Sequence, residues 1–273
     1  YRLPVPVNCS YFWSGFAYTN GISANFNHAG NWLGGAVPGD TDNAVFGNLG
    51  GTTNNTSPTN LIISADKTIG SLRFAQDQNG NAKAYNIEFQ GGAKLAVVGP
   101  GGFSMLRDAK VPLAAQTMDL KLAGAGSLIV SNNSANFANL IDGQLNATLD
   151  MRDLDSFYAQ VNRLPLGDYR AYPNFFTNGW AGGGTGNEVS RFAPLIYLAK
   201  TNVIKAAYVD PNNYDDLGER NYALTIGNYS QQGTTANLRF SLGNSNAFFL
   251  DSICFSQALQ GGSGHNYNFW TSN

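Results

Sequence analysis

The segment Leu195–Ala206, LIYLAKTNVIKA, returns later in the chain as Leu238–Phe249, LRFSLGNSNAFF. Each copy reads as a strand, a small or polar turn that contains Asn, and a second strand. Asn202 and Asn246 are 44 residues apart, a spacing within the range of repeat architectures. One repeat cannot bury its own apolar face, so the pattern predicts stacked layers in which Asn202 and Asn246 occupy equivalent positions and bind backbone groups through their amides.

The composition indicates a surface that is solvated by amides and hydroxyls instead of charges. Charged residues make up 12% of the 273 residues, and Gly alone accounts for 32, whereas a typical domain is about one quarter charged. The net charge is -2, and the Lys and Arg residues form no run, so we expect no nucleic-acid binding. No apolar run approaches the roughly 18 residues of a membrane helix, so we expect no membrane span.

Short β-rich runs follow one another through the first half of the chain and are separated by Gly and Asn. Gly-rich turns, as at Gly91–Gly92 and Gly124–Gly126, precede several of these runs. This pattern predicts an all-β fold, a right-handed parallel β-helix or β-solenoid, with an antiparallel jelly roll or β-sandwich as the alternative. The runs that predict strands are Leu61–Ile63, Ile69–Phe74, Tyr85–Phe89, Lys94–Val98, Met118–Leu122 and Ser127–Val130.

We predict two parts in the chain. Residues 1–13 form an extended N-terminal arm or edge strand, because its apolar residues alternate with prolines that cannot donate to a central ladder. Residues 14–273 form one β-solenoid domain, because no linker-like run divides them. Within this domain we expect a cap at residues 14–59 and loop insertions at residues 169–190 and 209–221.

The predicted cap carries a set of residues with a wider resemblance: Trp13, Trp32, Pro38, Asp42, Ala44 and Phe46. In this segment the chain resembles secreted bacterial proteins with autotransporter-associated β-strand repeats, of the planctomycete and verrucomicrobial type. The resemblance implies secretion and a parallel β-helix. Independently of it, Asp40 or Asp42 is suited to cap the Val-Pro-Gly turn, and the Trp side chains are suited to close the apolar end of the stack.

The segment Leu149–Gly167 contains clustered charges and is the one place where a helix competes with strands. We predict strands here. The cluster, Asp150, Arg152, Asp153 and Asp155, is the weak catalytic candidate of the chain, because carboxylates with Arg perform acid/base work in polysaccharide lyases and hydrolases. In a regular strand Asp153 and Asp155 share one face and Arg152 takes the other, which splits the group, so we predict no enzyme and no catalytic residue.

A second excursion gathers four carboxylates, Asp210, Asp215, Asp216 and Glu219. It departs from an EF-hand loop because Asp215 stands where glycine is required. We therefore predict a solvated turn and no cofactor, with calcium at these four residues as the alternative.

These observations predict a secreted structural or adhesive protein at the cell surface, a self-associating subunit of an extracellular fibre or layer. In the predicted head-to-tail homopolymer, Leu3, Val5 and Val7 of the arm pair with the last layer of the next molecule, and Cys9 meets Cys254 between subunits. Alternatively, both cysteines are small buried hydrophobes. The alternative function is a carbohydrate-active β-helix enzyme or a glycan-binding module, with surface glycans as its partners.

Overall fold

Nearly all regular structure in this chain is β-strand. The only helical elements in the described residues are the one-turn helix α1 (Phe16–Thr19) and a 3-10 turn (Ala29–Asn31). None of the helices in these residues is long and apolar enough to cross a membrane. A computed structural model describes residues 9–47, 60–75, 83–106, 117–132, 141–142, 146–162, 164–168, 195–206, 223–228 and 239–255.

The strands form two sheets. The larger sheet has eleven strands along the path β1-β2-β4-β5-β6-β8-β10-β13, with β3 paired to β5, β11 to β8 and β14 to β11, and the smaller sheet has the order β15-β12-β9-β7. The strands are β1 (Ser10–Phe12), β2 (Asn43–Phe46), β3 (Asn60–Ile63), β4 (Lys67–Ala75), β5 (Lys83–Leu106), β6 (Thr117–Asn132), β7 (Ile141–Asp142), β8 (Asn146–Val161), β9 (Leu164–Asp168), β10 (Leu195–Tyr197), β11 (Thr201–Ala206), β12 (Leu224–Asn228), β13 (Arg239–Ser241), β14 (Ser245–Leu250) and β15 (Ile253–Phe255).

Every pairing between these strands is parallel. The prediction of an all-β fold with parallel strands is therefore confirmed, and the antiparallel jelly-roll alternative is wrong. The strand prediction for the segment after Leu149 is also confirmed, because β8 and β9 occupy it. Residues 1–8 of the predicted arm and the predicted loop insertions at 169–190 and 209–221 lie outside the described residues.

The longest strands bend at glycines without losing their neighbours. β5 pairs with β3 through Asn86–Phe89 and with β4 through Leu95–Val97 and Gly102–Leu106. Between the first two segments, Gly91 and Gly92 have φ values of 64° and 79°, which side-chain-bearing residues rarely adopt. The glycine turns predicted from the sequence are thus bends inside one continuous strand.

Apolar side chains on one side of the stacked strands form the core. Leu95, Leu128 and Phe157 are register partners on β5, β6 and β8, and none is more than 1% exposed. Ala44, Leu72 and Phe103 repeat this arrangement on β2, β4 and β5. Each strand therefore buries the apolar residues of its neighbour, as the repeat pattern predicts.

Candidate functional site

The charged residues predicted on β8 lie on the outer surface where this strand bends. The register between β6 and β8 is irregular between Asp150 and Asp153, and Arg152 and Asp153 are both exposed, as is Asp155. The prediction that Arg152 faces away from the two aspartates is therefore wrong, because an irregularity in a strand changes which face the following side chains take. We name this group, with its neighbours Lys121, Tyr197 and Lys200, the corner cluster.

Ion pairs join every carboxylate of the corner cluster to a cation. The guanidinium of Arg152 donates from Nε and Nη2 to the two carboxylate oxygens of Asp150, at 2.9 and 2.7 Å. It also lies over the ring of Tyr197, with its central carbon 4.2 Å from the ring centroid. The other two ion pairs are Lys121–Asp153 at 2.7 Å and Lys200–Asp155 at 2.8 Å.

The surroundings of Asp150 and Lys121 in the corner cluster favour the charged forms of these two side chains. Burial raises the pKa of Asp150, but the hydrogen bonds and positive charge of Arg152 outweigh it and hold the pKa below its ordinary value. The hydrogen bond from Lys121 to Asp153 raises the pKa of that lysine. A general acid in glycoside hydrolysis needs a raised carboxyl pKa, so the environment of Asp150 is the opposite of the one this role requires.

The part of the chain that the structure describes contains no cluster of metal ligands. No group of three His, Cys, Asp or Glu side chains is close enough there to hold an ion. The calcium alternative, Asp210, Asp215, Asp216 and Glu219, lies outside that part. Asp42 accepts hydrogen bonds from the backbone N–H of Gly39 at 2.8 Å and of Cys9 at 3.2 Å, which confirms its predicted role in the turn.

Asn202 and Asn246 are register partners on β11 and β14, as the 44-residue repeat predicts. Asn202 Oδ1 accepts from the N–H of Ala199 at 3.0 Å, and its Nδ2 donates to Ala199 O at 2.6 Å. Asn246 makes the same two bonds to Gly243, at 3.1 and 2.7 Å. Asn202 Nδ2 also donates to Asn246 Oδ1 at 2.9 Å. We name these two residues the asparagine ladder.

Aromatic rings close the sheet at its β1 end. We name Trp13, Phe26, Trp32 and Phe46 the aromatic cluster; none is more than 2% exposed. The rings of Trp13 and Trp32 meet edge to face at 5.3 Å, and Trp32 Nε1 donates to Phe26 O at 2.7 Å. Trp13 and Trp32 also form an antiparallel bridge. The segment around Trp32 therefore covers part of the outer side of β1.

The opposite end of the sheet, the last layer that the arm is predicted to reach, is built differently, and the sequence did not identify β14 as its edge. Within the described residues β14 pairs with β11 and with no other strand. We name the side of β14 that faces away from β11 the open edge. Its core-facing residues Asn246, Phe248 and Leu250 are half-buried, whereas their partners on β11 are fully buried: Asn202, Ile204 and Ala206. The signal for this edge is that the repeat has no third recognisable copy.

The residues predicted to join subunits are described only in part. Leu3, Val5 and Val7 lie outside the described residues. Cys9 is exposed and immediately precedes β1 of the larger sheet, and Cys254 belongs to β15 of the smaller sheet. Contact between them in neighbouring molecules stays a prediction.

Comparisons with known protein families, curated proteins and solved structures find no match for this chain. The resemblance to secreted β-strand-repeat proteins therefore rests on the quoted N-terminal residues and stays a prediction.

Proposed function

We propose that this chain is a secreted structural or adhesive surface protein, built as a right-handed parallel β-helix. The observation that carries the proposal is the path of eight parallel strands from β1 to β13, whose core is filled by side chains of successive strands. Such a stack provides a long, regular body and outer surface. The Lys121–Asp153 ion pair of the corner cluster joins the neighbouring strands β6 and β8, and Lys200–Asp155 joins β8 to the turn before β11.

The order of strands in the two sheets supports the helical winding. β8, β11 and β14 are neighbours in the larger sheet, and β9, β12 and β15, which follow them in the chain, are neighbours in the same order in the smaller sheet. Each pass of the chain thus contributes a strand to both sheets and continues to the next layer. This is the connectivity expected of a coil whose turns stack in parallel.

The two unlike ends support head-to-tail association. One end carries the aromatic cluster and the other carries the open edge, so a contact between them is heterologous and generates a filament instead of a closed dimer. In this proposal the N-terminal arm of one molecule, including Leu3, Val5 and Val7, reaches the last layer of the next. A disulfide between Cys9 and Cys254 is then formed between subunits.

Electron microscopy and small-angle scattering of the purified chain test this proposal. Eight strands at about 4.8 Å per strand give a body on the order of 40 Å along the stacking direction, and polymers should be visible as fibres or layers of that repeat. Non-reducing gels should show a ladder that collapses to one band on reduction. Compact single particles under all conditions, with one band on both gels, would remove the proposal.

Glycan binding is the second candidate function, and an exposed patch on the outer face favours it. Lys205 Nζ lies 5.8 Å from the ring centroid of Tyr158 and 5.7 Å from that of Phe249, and Phe249 is 60% exposed. An exposed ring beside an ammonium suits an acidic sugar, because the ring offers an apolar face and the ammonium attracts a carboxylate. Retention on acidic polysaccharides that is lost in Phe249→Ser supports this function, and release of reducing ends or unsaturated products would indicate an enzyme.

A further inference from the structure

Within the described residues, no strand covers the layer of the core at the open edge. Asn202, Ile204 and Ala206 of β11 are each at most 1% exposed, because β8 and β14 lie on their two sides. Their register partners on β14 have a neighbouring strand, β11, on one side only within the described residues, and they are half-buried: Asn246, Phe248 and Leu250. One further strand in the same register would give them the environment that β11 already has.

The asparagine ladder also ends with an unused donor. Both N–H groups of the Asn202 side chain are bonded, one to Ala199 O and one to Asn246 Oδ1. Asn246 repeats the first bond, to Gly243 O, but the second N–H, which corresponds to the ladder bond, has no acceptor in the described part of the chain. An amide acceptor on a further strand would complete the ladder.

We infer that the open edge binds an extended strand of a second polypeptide, parallel to β14, with the pattern Asn-x-apolar-x-apolar and its Asn in register with Asn246. The backbone of that strand pairs with the side of β14 that has no strand partner in the described residues, as in other cases of strand addition. Its Asn Oδ1 accepts from Asn246 Nδ2. Its two apolar side chains cover Phe248 and Leu250.

The chain itself provides two examples of this pattern. Asn202–Ala206 reads Asn-Val-Ile-Lys-Ala and Asn246–Leu250 reads Asn-Ala-Phe-Phe-Leu. In both, a small residue lies three positions before the Asn, and its backbone carbonyl accepts a hydrogen bond from the side-chain amide of that Asn. The small size is needed at Gly243, because a Cβ there would overlap the carbonyl oxygen of Ala199. The bound strand should therefore carry Ala or Gly three positions before its Asn.

Parallel, in-register addition is favoured over antiparallel pairing of two β14 strands from different copies. Identical amides form a ladder only when strands stack in register, so that each amide meets the next one along the stack. Antiparallel pairing with full overlap of the two β14 strands would set Asn246 opposite Phe249 and leave its second N–H without an amide partner. The inference rests on the proposed stacking of layers, and it is independent of secretion and adhesion.

A labelled peptide with the sequence of Leu198–Ala206, LAKTNVIKA, tests the inference on the full chain by fluorescence anisotropy. We expect saturable binding, and about tenfold weaker binding of the same peptide with Asn202→Leu, because Leu keeps the shape but removes the amide acceptor. The chain variant Asn246→Leu should bind both peptides equally. Phe249→Ser, on the outer face of β14, should bind them as the unaltered chain does.

Two results would overturn the inference. One is no binding of the peptide to the unaltered chain. The other is equal binding of the two peptides to it, which would mean that the amide does not set the register. Sedimentation gives a further check: bound peptide should disperse head-to-tail polymers, because it occupies the layer that the arm is proposed to reach, and polymers that persist in saturating peptide would count against the inference. Fibres seen in microscopy without peptide binding would support the proposed function and count against the inference. Peptide binding without fibres would support the inference and count against the proposed function.

Discussion

The two ends of the larger sheet finish the same stack in opposite ways. At the β1 end, four aromatic side chains bury one another, and the antiparallel bridge between Trp13 and Trp32 interrupts the parallel pattern. At the β14 end, the pattern continues to the last described strand and stops with half-buried apolar residues and an unused amide donor. Among the described residues, a strand parallel to the sheet is obstructed at the β1 end and has no such obstruction at the β14 end, and this difference gives the stack a direction.

The largest expected effect is a difference between the two ends in how much the loss of an aromatic side chain lowers the free energy of unfolding. Phe46 is fully buried and its ring lies within 5.0 to 5.7 Å of the rings of Trp13, Trp32 and Phe74. Phe46→Ala should lower the free energy of unfolding by about 3–5 kcal/mol. Phe248→Ala, at the half-buried position on β14, should cost less than about 2 kcal/mol, because part of its surface is already in water.

Urea unfolding followed by circular dichroism measures both losses on one scale. Equal losses for Phe46→Ala and Phe248→Ala would show that the β14 end is as well packed as the β1 end. The comparison between the two ends would then fail.

The second effect concerns the asparagine ladder. Asn202→Leu leaves the N–H and C=O of Ala199 and the Oδ1 of Asn246 without the partners described above, so we expect a loss of about 2–3 kcal/mol. Asn246→Leu should cost less, about 1–2 kcal/mol. It leaves one N–H of the buried Asn202 without its acceptor, but Gly243 lies at the more exposed end of the ladder, where water can replace the lost amide. The same urea titrations measure this, and a larger loss for Asn246→Leu would contradict an open edge.

The fold features that the sequence predicted correctly are those repeated at a constant spacing. The 44-residue offset between Asn202 and Asn246 in the sequence is the register in which the two strands and their turns stack. Alternation of apolar and polar residues likewise located the strands β3 to β6. These signals come from residues that are close or periodically spaced in the sequence, so they can be detected without knowing which segments are neighbours in space.

The features that the sequence did not predict depend on contacts between distant segments. The bend of β8 between Asp150 and Asp153 follows from an irregular register with β6, and no alternation rule applied to β8 alone detects it. The half-burial of Phe248 and Leu250 reflects the lack of a strand on their other side within the described residues, whereas their sequence reads as an ordinary buried strand. The sequence therefore predicted a last layer that the arm of another molecule binds, but only the structure shows that β14 forms its edge.

The smallest expected effect is at the corner cluster, which lies away from both ends of the sheet. Asp150 binds Arg152 through two hydrogen bonds on the outer surface, where exposed ion pairs contribute at most about 1 kcal/mol. Asp150→Asn should therefore cost no more than that at pH 7.

The folded-state pKa of Asp150 lies below its ordinary value, so its contribution is present above the unfolded pKa of about 3.9 and is lost as the pH falls through the folded pKa. Urea midpoints of the unaltered chain and Asp150→Asn should thus converge between pH 7 and strongly acidic pH. Asp119→Asn, at an exposed carboxylate of β6, is the matched control for the loss of a surface carboxylate. A difference that widens in acid would mean that Asp150 is held protonated, which would restore the general-acid role and favour the enzyme alternative.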